Sequence, residues 1–116
     1  MELKIRKSND IYIVDISGEM DLYNSYKLKE LLLKMIEKKI ENFIINLNDV
    51  EYIDSSGIGA LIYITSTIRK MALRMAITNV RGSVKKVIEL TKLTNFFPIA
   101  ASLEEAVRNV GTPVKA

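Results

Sequence analysis

Asn42 to Leu47 read NFIINL, a short, essentially continuous apolar run with β-branched residues. A strand of that kind has both faces covered, which points to a parallel sheet flanked by helices. The rest of the sequence supplies what such a sheet needs. ELKIRKS (2–8) alternates Leu3 and Ile5 against Lys4 and Arg6, the period of a half-exposed strand. Asn9 and Asp10 make a turn, and IYIVDIS follows as a more buried strand ending at Gly18, so the chain opens with a hairpin.

From about Leu22 the period becomes helical. Leu28, Leu31, Leu32, Met35 and Ile36 form one stripe, with Asp21 or Asn24 as the expected cap. A second helix follows the NDVEYID segment, with Ile58, Leu61, Ile62, Thr65 and Ile68 along one side. LRMAITN (73–79) is the next strand, and Val84, Val87, Ile88 and Thr91 share a face of a third helix. FFPIA fits a short edge strand, because Pro98 cannot donate to a central ladder. Ser102 and Glu105 have capping-box spacing and open a last helix that stops at Gly111. The expected fold is α/β: a four- to five-stranded, mostly parallel sheet with an N-terminal antiparallel hairpin and about four helices. One domain over 1–110 with a flexible tail at 111–116 suits a chain of 116 residues.

Composition narrows the chemistry. With no cysteine and no histidine, the chain lacks thiolate chemistry, the commonest metal ligand and the usual base of a serine triad. No metal site and no catalytic residue is expected. Apolar residues make up 48% and charged residues 27%, as in a globular protein with one core. The net charge of +3 is spread along the chain without aromatic interleaving, so solvated faces explain it better than nucleic acid binding. The charged N-terminus and the short apolar stretches carry no targeting or spanning signal, and a cytoplasmic protein is expected.

One stretch stands apart. At VEYIDSSGIGALIYITS (50–66) an apolar run stops at Asp54, two serines follow, and Gly57 and Gly59 frame Ile58. A strand ending near Ile53 places Asp54 or Ser55 at a helix N-cap and Ser56 in or just before the first turn, beside free N–H groups. Capping alone accounts for Asp54 and Ser55. A nucleophile elbow is not met, because Asp54 stands where its first glycine belongs, and no phosphate-binding loop is present. A hydroxyl that accepts a phosphate is the reading that uses the glycines, since a kinase needs an approachable surface. The second helix also has hardly polar residues off its stripe, at Ala60, Tyr63, Ile64 and Thr67. No charge falls between Asp54 and Arg69, so neighbouring helices or a partner must cover it.

DSSGIGAL (54–61), following an apolar strand and preceded by GEMD (18–21), resembles the STAS domains and, more narrowly, the bacterial anti-sigma factor antagonists. The likeness covers essentially the whole chain. It implies a regulatory protein rather than an enzyme, with no cofactor. Its partner would be an anti-sigma factor that is also a serine kinase of the GHKL type. In that family the unphosphorylated antagonist binds this kinase and frees the sigma factor. Phosphorylation breaks the complex and a PP2C-type phosphatase restores it. The resemblance makes Ser56 the phosphorylated residue, with Ser55 the second candidate. Asp21 matches an acid near the phosphoacceptor, and Asp54, Gly57, Ile58 and Gly59 complete the expected partner surface. A monomer without nucleic acid or membrane contact is expected. The alternatives are a stand-alone STAS subunit of a transporter or stress-signalling scaffold, and a nucleotide or small-molecule binding module.

Overall fold

The computed structural model describes residues 1–111, so the tail expected at 111–116 lies, beyond Gly111, outside the described residues. Among these, strands and helices alternate in the expected order. They are β1 (Glu2–Ser8), β2 (Ile11–Met20), α1 (Ser25–Glu37), β3 (Asn42–Ile53), α2 (Ser55–Lys70), β4 (Arg74–Thr78), α3 (Gly82–Leu90), β5 (Ile99–Ala100) and α4 (Leu103–Val110). The strands lie side by side in chain order, β1 antiparallel to β2 and every other pair parallel. Asn9 takes the left-handed position (φ 55°) that turns β1 into β2, a conformation asparagine tolerates well.

Alternation along β3 divides the core. Phe43, Ile45 and Leu47 face one side, where they meet Leu28 and Leu32 of α1, Leu61 and Ile68 of α2, and Val84 and Ile88 of α3. Ile44 faces the other, where Ile11, Ile13, Ala76 and Ala100 pack against Ala106 and Val110 of α4. Both faces of NFIINL are therefore covered, as its composition requires. The last helix is held by the expected box: Ser102 Oγ accepts from the Glu105 N–H at 3.1 Å, and Glu105 Oε1 accepts from the Ala101 N–H at 3.1 Å.

On the α4 side of the sheet, beyond the helix, a polar chain crosses the strands. Arg6 donates twice to the Asp15 carboxylate at 2.6 and 3.0 Å, Asn46 donates to Asp15 at 2.8 Å, and Asn79 donates to Asn46 at 2.8 Å. Partial burial of Asp15 disfavours its ionised form. The hydrogen bonds from Arg6 and Asn46, with the Arg6 charge, outweigh that and hold the carboxyl below the usual carboxylate range.

Two boundaries near this end of the sheet differ from the sequence expectation. Strand β2 continues past Gly18 to Met20, beside β3, which runs from the NFIINL segment to the strand end expected near Ile53. The strand ends pair with each other through Ser17–Asp49, Gly18–Val50, Glu19–Tyr52 and Met20–Ile53, and from Gly18 onward neither has another partner strand. Two irregularities in register let Val50 and Ile53 turn inward despite the polar residues between them, and Gly18 sits there at φ 88°. Helix α1 begins at Ser25 rather than near Leu22, because residues 22–24 form a turn.

Candidate functional site

The extended β2 and β3 deliver two chain segments to one end of the sheet: the turn at Asp21–Asn24 and the first turn of α2. Asp54 joins them. It is the N-cap of α2, with extended backbone (φ −108°, ψ −172°). Its Oδ1 accepts from the N–H groups of Ser56 (2.8 Å) and Gly57 (3.1 Å), and its Oδ2 accepts from the N–H of Leu22 at 3.2 Å. Its own N–H donates to the Met20 carbonyl at 3.1 Å. One carboxylate thus caps a helix and pins a loop from another crossover.

Capping is therefore the work of Asp54, and the serines are the first helical residues. Ser55 is exposed and Ser56 half-buried, and among the described residues neither hydroxyl has a hydrogen-bond partner. The expected cap of α1 is replaced by a local knot. Asn24 occupies the N-cap position, but its side chain turns back to accept from the Asp21 N–H (3.0 Å) and donate to the Glu19 carbonyl (2.9 Å). Asp21 is not the cap either: its Oδ1 accepts from the Tyr23 N–H at 2.9 Å, and its carbonyl accepts from Ser25 Oγ at 2.8 Å. Asp21 and Asp54 so lie on adjoining segments, each carboxylate committed to backbone N–H groups.

The two glycines differ. A Cβ on Gly57 would stand 2.6 Å from Ile53 Cγ1 and 2.7 Å from the Met20 carbonyl oxygen, so this glycine lets α2 approach the strand ends. Around Gly59 a Cβ would meet nothing within 4 Å. Ile58, expected on the partner surface, is 5% exposed and belongs to the core. Of the stretch Gly57–Gly59, then, Gly59 alone is bare toward solvent. Gly57 and Ile58 are turned inward, because a helix laid on a sheet must bury the residues that follow its cap on the sheet side. The nearly apolar α2 is likewise covered from within. Ala60 and Ile64 are buried in a helix that packs beside α1, while Tyr63 remains 44% exposed.

Between α1 and α2 lies a groove of about 380 Å³, lined by Leu22, Ser25, Tyr26, Lys29, Ser56, Gly59 and Ala60. Leu22 and Tyr26 at its rim are 68% and 51% exposed, and Tyr23 beside them is 82% exposed. Lys29 Nζ sits 5.2 Å from the centroid of the Tyr63 ring. These residues of α1 and the turn before it were missed from the sequence. Their signal was present: Leu22, Tyr26 and Lys29 recur at helical spacing off the core stripe, and two of the three are apolar. Among the described residues no cluster of carboxylates could hold a metal ion, and no helix is long and apolar enough to cross a membrane.

A domain-family model, the STAS domain, matches residues 2–106. The chain belongs to the STAS domain family. Its similarity to the anti-sigma-B factor antagonist of Bacillus subtilis is 29% identity over 103 residues, covering 89% of this chain and 93% of that protein. The STAS fold is matched by the crystal structure of an anti-sigma factor antagonist from Mycobacterium paratuberculosis, with TM-score 0.84, 21% identity and 94% and 92% of the two chains covered. It is also matched by the Bacillus cell fate determinant SpoIIAA in its phosphorylated form, with TM-score 0.73, 19% identity and 95% and 100% covered.

Proposed function

We propose that this STAS domain is an anti-sigma factor antagonist controlled by phosphorylation of Ser56. Unphosphorylated, it binds an anti-sigma factor that is a GHKL-type serine kinase, and the sigma factor is released. The kinase passes the γ-phosphoryl of ATP to Ser56 Oγ, the hydroxyl proton leaves, and ADP departs. A PP2C-type phosphatase hydrolyses the phosphoserine, water attacking phosphorus as the P–O bond to Ser56 breaks, and returns the hydroxyl and inorganic phosphate. The domain binds and is modified; it does no chemistry of its own.

The observation that carries this reading is the division of labour at the seam. Asp54 supplies all the side-chain capping of α2, so the Ser56 hydroxyl is uncommitted, and it opens onto a groove rimmed by exposed Leu22 and Tyr26. Ser55 is exposed too but does not line that groove. The shared name of the curated relatives, anti-sigma-B factor antagonist, supports the same reading. Phosphorylation adds about −1.5 to −2 charges at pH 7 next to two carboxylates. A partner packed on Gly59 and Tyr26 would face that bulk and charge, and a loss of about 3 kcal/mol weakens binding roughly a hundredfold.

The test uses Ser56→Ala, Ser56→Asp and Ser55→Ala as baits in the native lysate, with ATP labelling of each. The expected result is a GHKL-type kinase retained by the two alanine variants and lost by Ser56→Asp, with labelling abolished only in the Ser56 variants. Retention of one transporter or scaffold component by all three baits, without labelling, would assign the domain to the other STAS roles.

A further inference from the structure

A phosphate on Ser56 meets a helix end where three of the N–H groups are already occupied. The N–H groups of Ser56 and Gly57 donate to Asp54 Oδ1, and the N–H of Ile58 donates to the Asp54 carbonyl at 3.0 Å. A helix N-terminus ordinarily receives an anion through those groups. Here a carboxylate holds that place, and it adds its own negative charge. That leaves the Ser55 N–H for the anion, and a full counter-charge calls for a side chain. The groove lining contains one charged residue among those described, Lys29.

Lys29 is placed to supply it. On α2, Ser56, Gly59 and Ala60 line the groove, and Tyr63 follows them at helical spacing. The Lys29 ammonium rests over the Tyr63 ring, at the far end of that row from Ser56. Gly59 stands between them in the helix, and nothing outside its own helix lies within 4 Å of where its side chain would begin. An ammonium over an aromatic ring is held more weakly than one paired with a phosphate, and lysine carries its charge on a flexible stem.

We propose that Lys29 is the internal counter-ion of phosphorylated Ser56: its ammonium leaves the Tyr63 ring, crosses the floor at Gly59 and pairs with the phosphate. The inference rests on Ser56 being the phosphoacceptor. It gives the modification a second effect, since phosphate and lysine stem together fill the groove that a partner would use. The carboxylates of Asp54, Asp21 and Glu30, the ammonium of Lys27 and the phenols of Tyr23, Tyr26 and Tyr63 are the other titratable groups on the turn, the start of α1 and the start of α2, and Lys29 is the only cation lining the groove among the described residues.

The test installs phosphoserine at position 56 during translation and follows its phosphorus resonance through a pH titration. Wild type, Lys29→Gln, Lys29→Arg and Lys27→Gln are compared, Lys27 being exposed on the same helix and absent from the groove. A phosphoserine ordinarily titrates near pH 6. The expected result is a lower value in wild type, Lys29→Arg and Lys27→Gln than in Lys29→Gln, by roughly half a unit or more. Equal values in wild type and Lys29→Gln would overturn the assignment, as would an equal rise in Lys27→Gln. Because the phosphate is placed without a kinase, this outcome is independent of the labelling experiment. A chain that no kinase modifies would still show the lowered value if Lys29 pairs as assigned.

Discussion

The Asp54 carboxylate, anchored at the start of α2, accepts a hydrogen bond from the backbone N–H of Leu22, 3.2 Å away across the end of the sheet. The loop before α1 and the first turn of α2 are thereby held as one surface. Replacing Asp54 with alanine removes a cap and this tie together, and a loss of about 1–2 kcal/mol is expected in urea denaturation. Asp54→Asn keeps a capping oxygen and should lose less. Equal stability of wild type and Asp54→Ala would show that the tie holds nothing.

Gly57 and Gly59 should respond to alanine in opposite directions. At Gly57 the new methyl meets the Met20 carbonyl and the Ile53 side chain, and overpacking should cost about 1–3 kcal/mol. At Gly59 the methyl enters open space and the helix gains up to about 1 kcal/mol. Thermal melts of the two variants distinguish the roles. A stabilised Gly59→Ala protein that binds the proposed kinase partner less well would show that glycine is kept there for contact rather than for the fold.

Tyr26 stands at the rim of the groove with half its surface open. Exposed tyrosines beside a pocket are frequent binding anchors. Tyr26→Ala should weaken partner binding tenfold or more by calorimetry while changing stability by less than about 0.5 kcal/mol, as surface substitutions usually do. Unchanged affinity would place the partner elsewhere on the domain.

The Arg6–Asp15–Asn46 contacts set a pH dependence far from the groove. Asp15 has a folded-state carboxyl held below its ordinary range, so its contribution to stability is present at neutral pH and is lost as pH falls through the folded value. The stability gap between wild type and Asp15→Asn should therefore be full at pH 7 and shrink below about pH 4, where the unfolded carboxyl protonates. Denaturant titrations at several pH values measure it. A gap that stays constant down to pH 2 would mean that the ion pair contributes nothing.

Much of this was legible in the residues. Period-2 and period-3.6 segments gave the element order, and the unbroken NFIINL run required cover on both faces, which α4 and the other three helices provide. The edge placement of β5 followed from Pro98. What the sequence could not show is where separate segments meet. Ala60 and Ile64 looked like a face awaiting a partner because α1, which lies beside them, is remote in the chain. Gly57 and Gly59 looked equivalent, since spacing alone does not say which one points at Met20. Leu22, Tyr26 and Lys29 lie off the core stripe of the first helix, and only the packing of α1 and its leading turn on α2 makes them one wall of a groove.

The close approach at Gly57 bears on how Ser56 can be recognised at all. Residues on both sides of the hydroxyl are fixed in a helix that is seated hard against the strand ends. An enzyme acting there cannot draw the chain out as an extended strand and read its neighbours one by one. It has to fit a finished surface, so a free peptide spanning 50–66 offers it the right letters in the wrong shape. If Ser56 is modified as proposed, the thing recognised is the fold.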